Sequence, residues 1–278
     1  MSLASRKKKT VSKPRYEDRI VLFLDFLGFS EIVGETESDE GKLRSLVAAM
    51  DRIKEIATDN SGVNKSQRLT HFSDSVVVSY EVSDPAAVFM LLNAVAFCVI
   101  NLVERGYLVR GAIVSGKLYH TKNHIVGPAM IEAYRLESKV AVYPRILISE
   151  DLVEIAKGAT AEHHDPDDEA GYVNDFMTAD AEDGLFFFDY FGWQSVVGIV
   201  GGEDEMYPGY LLKISRLIET GLLHPEEKVR EKYLWMRRHY LAAINLFEEM
   251  PMDDPYRVEN EEICDAIIGL PRFDDLTE

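Results

Sequence analysis

Positive charge is scarce in this sequence: 30 lysines and arginines face 48 aspartates and glutamates, a formal net charge of −18. That balance excludes a general nucleic-acid binder, whose phosphate contacts need a positive surface. Cysteine is scarcer still. Cys98 and Cys264 are the 2 cysteines in 278 residues, too few for a disulfide framework and in keeping with reduced thiols in a cytoplasmic protein. Long apolar runs are missing as well. The longest, Ala86 to Val103, is broken by Asn93 and Asn101, so no membrane span is expected. The basic start has no apolar run behind it, so no secretory signal is expected either. There is no P-loop, no Rossmann glycine fingerprint and no convincing Ser-His-Asp arrangement.

What is present is an ordinary soluble composition, 46% apolar and 28% charged, in a chain long enough to bury a real core. Residues 1–18 form a basic arm, with Arg6, Lys7, Lys8, Lys9, Lys13 and Arg15, read as a flexible solubilising tail. Ile20 to Phe26 (IVLFLDF) is an apolar run with one embedded aspartate, the pattern of a buried strand. A helix is predicted over Lys42 to Thr58, then strands over Gln67 to Phe72 and Val76 to Glu81, joined in a tight turn at Ser73-Asp74-Ser75. Asp84 and Pro85 stand where a cap and a first-turn proline belong, opening a helix that Gly106 closes. A strand follows from Leu108 to Ser115, continuing through a Gly116 kink towards Tyr119. Further on come a helix over Ala129 to Lys139, a strand from Arg145 to Ser149 and a short helix over Glu150 to Ala156. An exposed acidic loop is expected from Glu162 to Glu169 and a strand over Gly184 to Phe191. Helices are predicted over Met206 to Thr220 and Pro225 to Phe247, and the tail from Pro251 reads as acidic and partly irregular.

This order predicts an α+β fold. Residues 20–118 follow the ferredoxin-like βαββαβ arrangement, an antiparallel sheet with helices on one face. A core domain over 19–200 and a C-terminal helical appendage over 201–278 complete the layout.

Asp25 is the first residue that asks for a function. A carboxylate within a buried apolar strand is costly unless a cation or strong donors meet it. The turn that follows, Phe26-Leu27-Gly28-Phe29-Ser30, offers backbone N–H groups of the kind that hold phosphate oxygens. The plainer alternative is an aspartate that caps this turn. Asp74 shifts the balance. It lies at the tip of the predicted hairpin, which neighbours the first strand in such a sheet. Two carboxylates brought together with no lysine between them repel unless a divalent ion bridges them. Mg²⁺ or Mn²⁺ suits such oxygen ligands and leaves room for substrate phosphates, the beginning of a two-metal site.

The segments LDFLGFS (24–30), FSDSVVVSYE (72–81), VRGAIVSGKLY (109–119), GPAMIEAYRLES (127–138) and PRILIS (144–149) resemble successive motifs of the class III adenylate/guanylate cyclase domain, in order over about residues 20 to 150. The resemblance implies a nucleotide cyclase that uses two divalent metal ions, Mn²⁺ or Mg²⁺, on a nucleoside triphosphate substrate. Asp25 and Asp74 then match the metal-binding aspartates, and the Phe26 carbonyl a further metal ligand. Gly28, Phe29 and Ser30 match the turn that holds the phosphates. Arg135 matches the transition-state arginine, and Arg145 falls where an arginine contacts the triphosphate. In this family the site straddles a homodimer interface, so Arg135 would act on the partner's substrate. Without the resemblance, Arg135 would be a helix ion pair, for instance with Glu132, and Arg145 a surface ion pair.

The departures concern the base. The family's ribose-positioning asparagine is here Ile131. The two base-reading positions are Thr70 and His124, and neither purine-type pair is present. With the helical C-terminal region, this is similar to bacterial anti-phage pyrimidine cyclases of the Pycsar type. These make cyclic UMP or cyclic CMP for a separate effector protein. Thr70 and His124 can each donate or accept, so they do not separate uracil from cytosine, and UTP is favoured over CTP only weakly. A purine cyclase and a catalytically degenerate nucleotide-binding domain are the rivals. His163, His164, Asp165, Asp167 and Asp168 read as a solvated loop rather than a metal cluster. His120 and His124 flank a strand–loop junction, where a spacing of four is no zinc site.

Overall fold

The first strand, β1 (Glu17–Phe26), is buried on both faces for most of its length, as its unbroken apolar run requires. Along it Ile20, Leu22, Leu24 and Phe26 turn to one side, and Val21 and Phe23 to the other. It is central to a sheet in the computed structural model, which describes residues 13–56, 65–199, 201 and 203–276. The charged start of the basic arm and the end of the helix expected to reach Thr58 lie outside the described residues.

Helices α1 (Phe29–Thr36) and α2 (Glu40–Glu55) follow, the latter capped by the Asp39 side chain on the amides of Gly41 and Lys42. Then come β2 (Arg68–Phe72), β3 (Ser75–Glu81), α3 (Ala87–Glu104), β4 (Val109–His120), β5 (Ile125–Val126) and α4 (Pro128–Arg135). A π-helical turn (Leu136–Val140) extends α4. After it lie β6 (Ile146–Ile148), α5 (Asp151–Gly158), α6 (Pro166–Asn174), β7 (Met177–Ala179), β8 (Phe186–Phe188) and a second π-helical turn (Gln194–Ile199). The chain ends in α7 (Met206–Leu222), α8 (Glu227–Glu248), α9 (Pro255–Glu259), α10 (Glu261–Ile268) and a 3₁₀ turn (Asp274–Leu276).

The fold is α+β with a single sheet, in strand order β2-β3-β1-β4-β6-β8-β7, and β5 pairs with β4. Pairings are antiparallel except β4 with β6, which run parallel because α4 carries the chain back across the sheet. Within residues 20–118 α2 and α3 pack on one face of the sheet, and α4, beyond that segment, covers the other. The α3 face buries Leu22, Leu24, Val76 and Val78, whereas α4 sets Ala129 and Ala133 against Val21, Phe23, Val77 and Val114. α3 is apolar and long enough to cross a membrane by composition, but in this fold it is a core helix with ten of its 18 residues buried. The C-terminal helices share that core: Trp235 of α8 packs edge-on to Phe187 of β8 and Phe191.

Two local expectations fail for one reason, the use made of an aspartate followed by proline. At Asp84-Pro85 the carboxylate accepts from the Ser66 hydroxyl, and α3 starts only at Ala87, after Ala86 in a left-handed conformation. At Asp165-Pro166 the carboxylate does cap: it accepts from the amides of Asp167 and Asp168, both at 2.9 Å. The expected acidic loop therefore winds into α6. The tail beyond Pro251 is also more helical than its composition suggested, through α9 and α10.

Candidate active site at the edge of the central strands

Side-chain alternation puts Arg19, Val21, Phe23 and Asp25 on the α4 side of β1. Asp25, near the strand's end, lies opposite Ser75 of β3 and Arg110 of β4. The Ser75 hydroxyl donates to Asp25 Oδ1 at 2.8 Å. The two-residue turn Ser73-Asp74 closes the β2–β3 hairpin, with Ser73 in a left-handed conformation (φ 53°). It brings Asp74 to Asp25. Burial raises the Asp25 pKa above the ordinary carboxylate value; the Ser75 hydrogen bond opposes that, and the Asp74 charge and a carboxyl–carboxyl hydrogen bond add to it.

Two further groups complete the edge, and neither was singled out in the sequence. Arg110 Nη2 lies 3.8 Å from Asp25 Oδ2, and its Nε lies 2.7 Å from Glu137 Oε1. Glu137 sits in the π-helical turn after Arg135 and is buried, 2% exposed. Its pKa is raised by burial first and by the charges of Asp25 and Asp74, against the pull of Arg110. The edge thus gathers three carboxyl groups around one guanidinium. Only the in-register pairing of Asp25 with Arg110, a tertiary fact, could have exposed this.

After β1 the chain turns at Gly28 (φ 74°, ψ 25°), which caps α1 without any side-chain hydrogen bond. The Gly28 carbonyl accepts from the amides of Glu31 and Ile32 at 3.0 and 3.1 Å. The earlier amides of the turn, Phe29 and Ser30, are donors of the kind that meet anions at a helix start. Against this turn opens a cleft of about 470 Å³ lined by Gly28, Glu31, Lys42, Arg105, Lys232 and Tyr233. Lys232, from α8, forms no ion pair among the described residues. Burial lowers its pKa, and the nearby Arg110 charge lowers it further.

The other expected residues are placed as follows. Arg135 is exposed on α4, bound through Nε and Nη2 to Glu132 at 2.8 and 2.7 Å. Ile131, one turn earlier, is 71% exposed. Arg145 is not at the site edge. It is 1% exposed, and its guanidinium is taken up by Asp180 at 2.7 Å and Asp183 at 2.5 Å, beneath the Tyr143 ring. Trp235 Nε1 donates to the same Asp180 at 2.6 Å, so Arg145 ties β6 to the C-terminal helices. Thr70, on the Asp25 side of the sheet, bonds to His120, Oγ1 to Nε2 at 2.9 Å. His124 is exposed in the β4–β5 turn, where its backbone pairs with Thr121. His164 bonds Glu169 at 2.9 Å, which accounts for the histidine beside the acidic segment.

Among the described residues no group of three or more His, Cys, Asp and Glu side chains has a metal-cage arrangement. Asp25 and Asp74 alone are nevertheless a suitable donor set for Mg²⁺ or Mn²⁺, which keep water and phosphate ligands and need only one or two protein carboxylates.

The chain matches no protein-family profile and no curated protein sequence. Among solved structures it is similar to two structures of a bacterial light-regulated adenylyl cyclase. Each is 14% identical with a TM-score of 0.36, over 59% of this chain and 58% of that one.

Proposed function

We propose that the chain is a nucleotide cyclase of the class III type, converting a nucleoside triphosphate to its 3′,5′-cyclic monophosphate and pyrophosphate. The observation that carries this reading is the meeting of Asp25 and Asp74 at one strand edge, beside Arg110 and an uncapped phosphate-type turn. We read the β2-β3-β1-β4 half of the sheet as a ferredoxin-like core.

Asp25 and Asp74, with the Phe26 carbonyl, would hold two divalent ions, Mn²⁺ or Mg²⁺, which when bound lower the pKa of the ribose 3′-hydroxyl and offset triphosphate charge. The 3′-hydroxyl attacks the α-phosphate and pyrophosphate leaves. The Gly28–Ser30 amides and Arg110 bind phosphate oxygens; Arg110 takes over the part first given to Arg145, whose guanidinium is already committed to Asp180. Arg135 acts on the substrate of a second copy and stabilises the charge that develops on bond cleavage. Support for a homodimer comes from the exposed apolar side chains Ile131 and Tyr134 on the same helix as Arg135.

The substrate is a pyrimidine nucleotide, UTP ahead of CTP, since neither purine-reading side chain stands at position 70 or 124. The product serves as a cytoplasmic second messenger for a separate effector in anti-phage defence. A nucleotide-binding domain without turnover is the second reading, favoured by the bare apolar Ile131 where a ribose contact is expected. Incubation with Mn²⁺ and each of ATP, GTP, CTP and UTP, with products read by mass spectrometry, decides. A cyclic pyrimidine monophosphate supports the full proposal, a cyclic purine removes the base assignment, and no product from a folded protein removes the enzyme.

A further inference from the structure

We propose that Glu137 is a positioning residue for the carboxylate pair: it gives the Arg110 guanidinium a second seat, away from Asp25, and so leaves Asp25 free to take a divalent cation. This rests on the reading of Asp25 and Asp74 as metal ligands, but the place of Arg110 between two carboxylates stands on its own geometry.

Arg110 stands directly opposite Asp25 on the neighbouring antiparallel strand. Side chains so placed are ordinarily close enough to pair. An arginine in this register therefore has to be held if it is to stay off the aspartate. Asp25 Oδ1 accepts from the Ser75 hydroxyl at 2.8 Å. Oδ2 faces Arg110 Nη2 at 3.8 Å, near enough to attract and too far for a hydrogen bond. What holds the guanidinium back is Glu137, whose Oε1 is 2.7 Å from Arg110 Nε.

Glu137 reaches this point because Ala129, Ala133 and Glu137 recur every four residues along the buried face of α4 and its π-helical extension. The two alanines let the helix lie close on the sheet, and the next position on that face presses a carboxylate against it. A buried carboxylate needs a cation, and among the described residues Arg110 is the one paired with it. The pair is not locked. Neither Glu137 Oε1 nor Arg110 Nε has an aligned hydrogen-bond partner among the described residues, so charge alone joins them. With the Asp25 carboxylate on its other side, the guanidinium is shared between two seats. Glu137 takes it up when positive charge is added at Asp25 and Asp74. With position 137 neutral, Arg110 closes on Asp25 and competes with the divalent ion.

Mn²⁺ binding to the full chain without nucleotide, followed by electron paramagnetic resonance of the free ion, tests this. Glu137→Gln keeps the shape and removes the charge, and should weaken Mn²⁺ binding at least about tenfold. Glu137→Asp, which keeps the charge and withdraws it by one methylene, should fall between the two and is the variant to compare if Glu137→Gln does not fold. Arg110→Met/Glu137→Gln also removes the competing guanidinium and should bind Mn²⁺ at least as tightly as the wild type. A merely structural role for Glu137 gives no such recovery. Unchanged affinity in Glu137→Gln, or a double variant as weak as the single one, overturns the proposal. A crystal structure of Glu137→Gln should show Arg110 hydrogen-bonded to Asp25; a guanidinium that stays in place overturns the second seat whether or not any ion binds. A wild type that binds no Mn²⁺, with Arg110 moved onto Asp25 in Glu137→Gln, removes the metal reading and leaves the hold of Glu137 on Arg110 intact.

Discussion

At the scale of single residues, the candidate site is a group of carboxylates held short of positive charge, and its behaviour follows from sign. Asp25 and Glu137 have raised pKa values, so the native state binds their protons more tightly than the unfolded chain does. Their contribution to stability is full below the unfolded values of 3.8 and 4.5 and declines as pH rises through the folded ones. Asp25→Asn should therefore flatten that decline and raise the melting temperature at pH 7 without added metal, while cutting turnover at least about 10³-fold. Mn²⁺ should stabilise the wild type and not Asp25→Asn, as read by thermal unfolding. Arg110→Met should also abolish turnover, and it leaves Glu137 buried with no cation, a loss of up to about 3–5 kcal/mol. The partial exposure of Arg110 makes that an upper bound. Arg145→Met should instead behave as a folding mutation of similar size, because Asp180 loses its buried partner. Urea unfolding separates these cases from changes in KM.

At the scale of elements, the site depends on how α4 lies against β4. Gly127 precedes α4 at the point where a Cβ would overlap the Lys117 carbonyl oxygen. Gly127→Ala should displace α4 and with it Arg135 and the Glu137 turn, lowering both activity and melting temperature; a wild-type melting curve would contradict this. The elements also explain what could be read from sequence. The Asp25–Asp74 pairing was legible because an apolar run with one embedded aspartate and a hairpin with an aspartate at its tip are local patterns, and neighbouring strands bring them together. Arg110 and Glu137 were not legible: one depends on strand register and the other on a π-helical turn where a regular helix was expected. The burial of Arg145 against Asp180 has the same origin, since Asp180 lies 35 residues from its partner. His120 was considered only with His124 as a metal pair, whereas its partners lie on β2 and β3. α6 was missed although its Asp-Pro start was visible, because acidic composition outweighed the cap.

At the scale of the whole molecule, the proposed activity asks a chain of net charge −18 to bind a highly anionic substrate. The cations placed for this are Arg110 beside Asp25, Lys42, Arg105 and Lys232 around the cleft at the Gly28 turn, and Arg135 exposed on α4. Binding should accordingly weaken with ionic strength. Lys232 belongs to the C-terminal helices, so those helices border the cleft as well as sharing the core. The central claim is that each site is assembled from the aspartates of one copy and Arg135 of another. The most direct test mixes two inactive proteins, Asp74→Asn and Arg135→Ala, under conditions that exchange subunits, and measures cyclic nucleotide formation. Random pairing puts one intact site in half of the dimers, so the mixture should recover about a quarter of wild-type activity. A mixture as inactive as its components, with exchange shown to have occurred, would contradict the account.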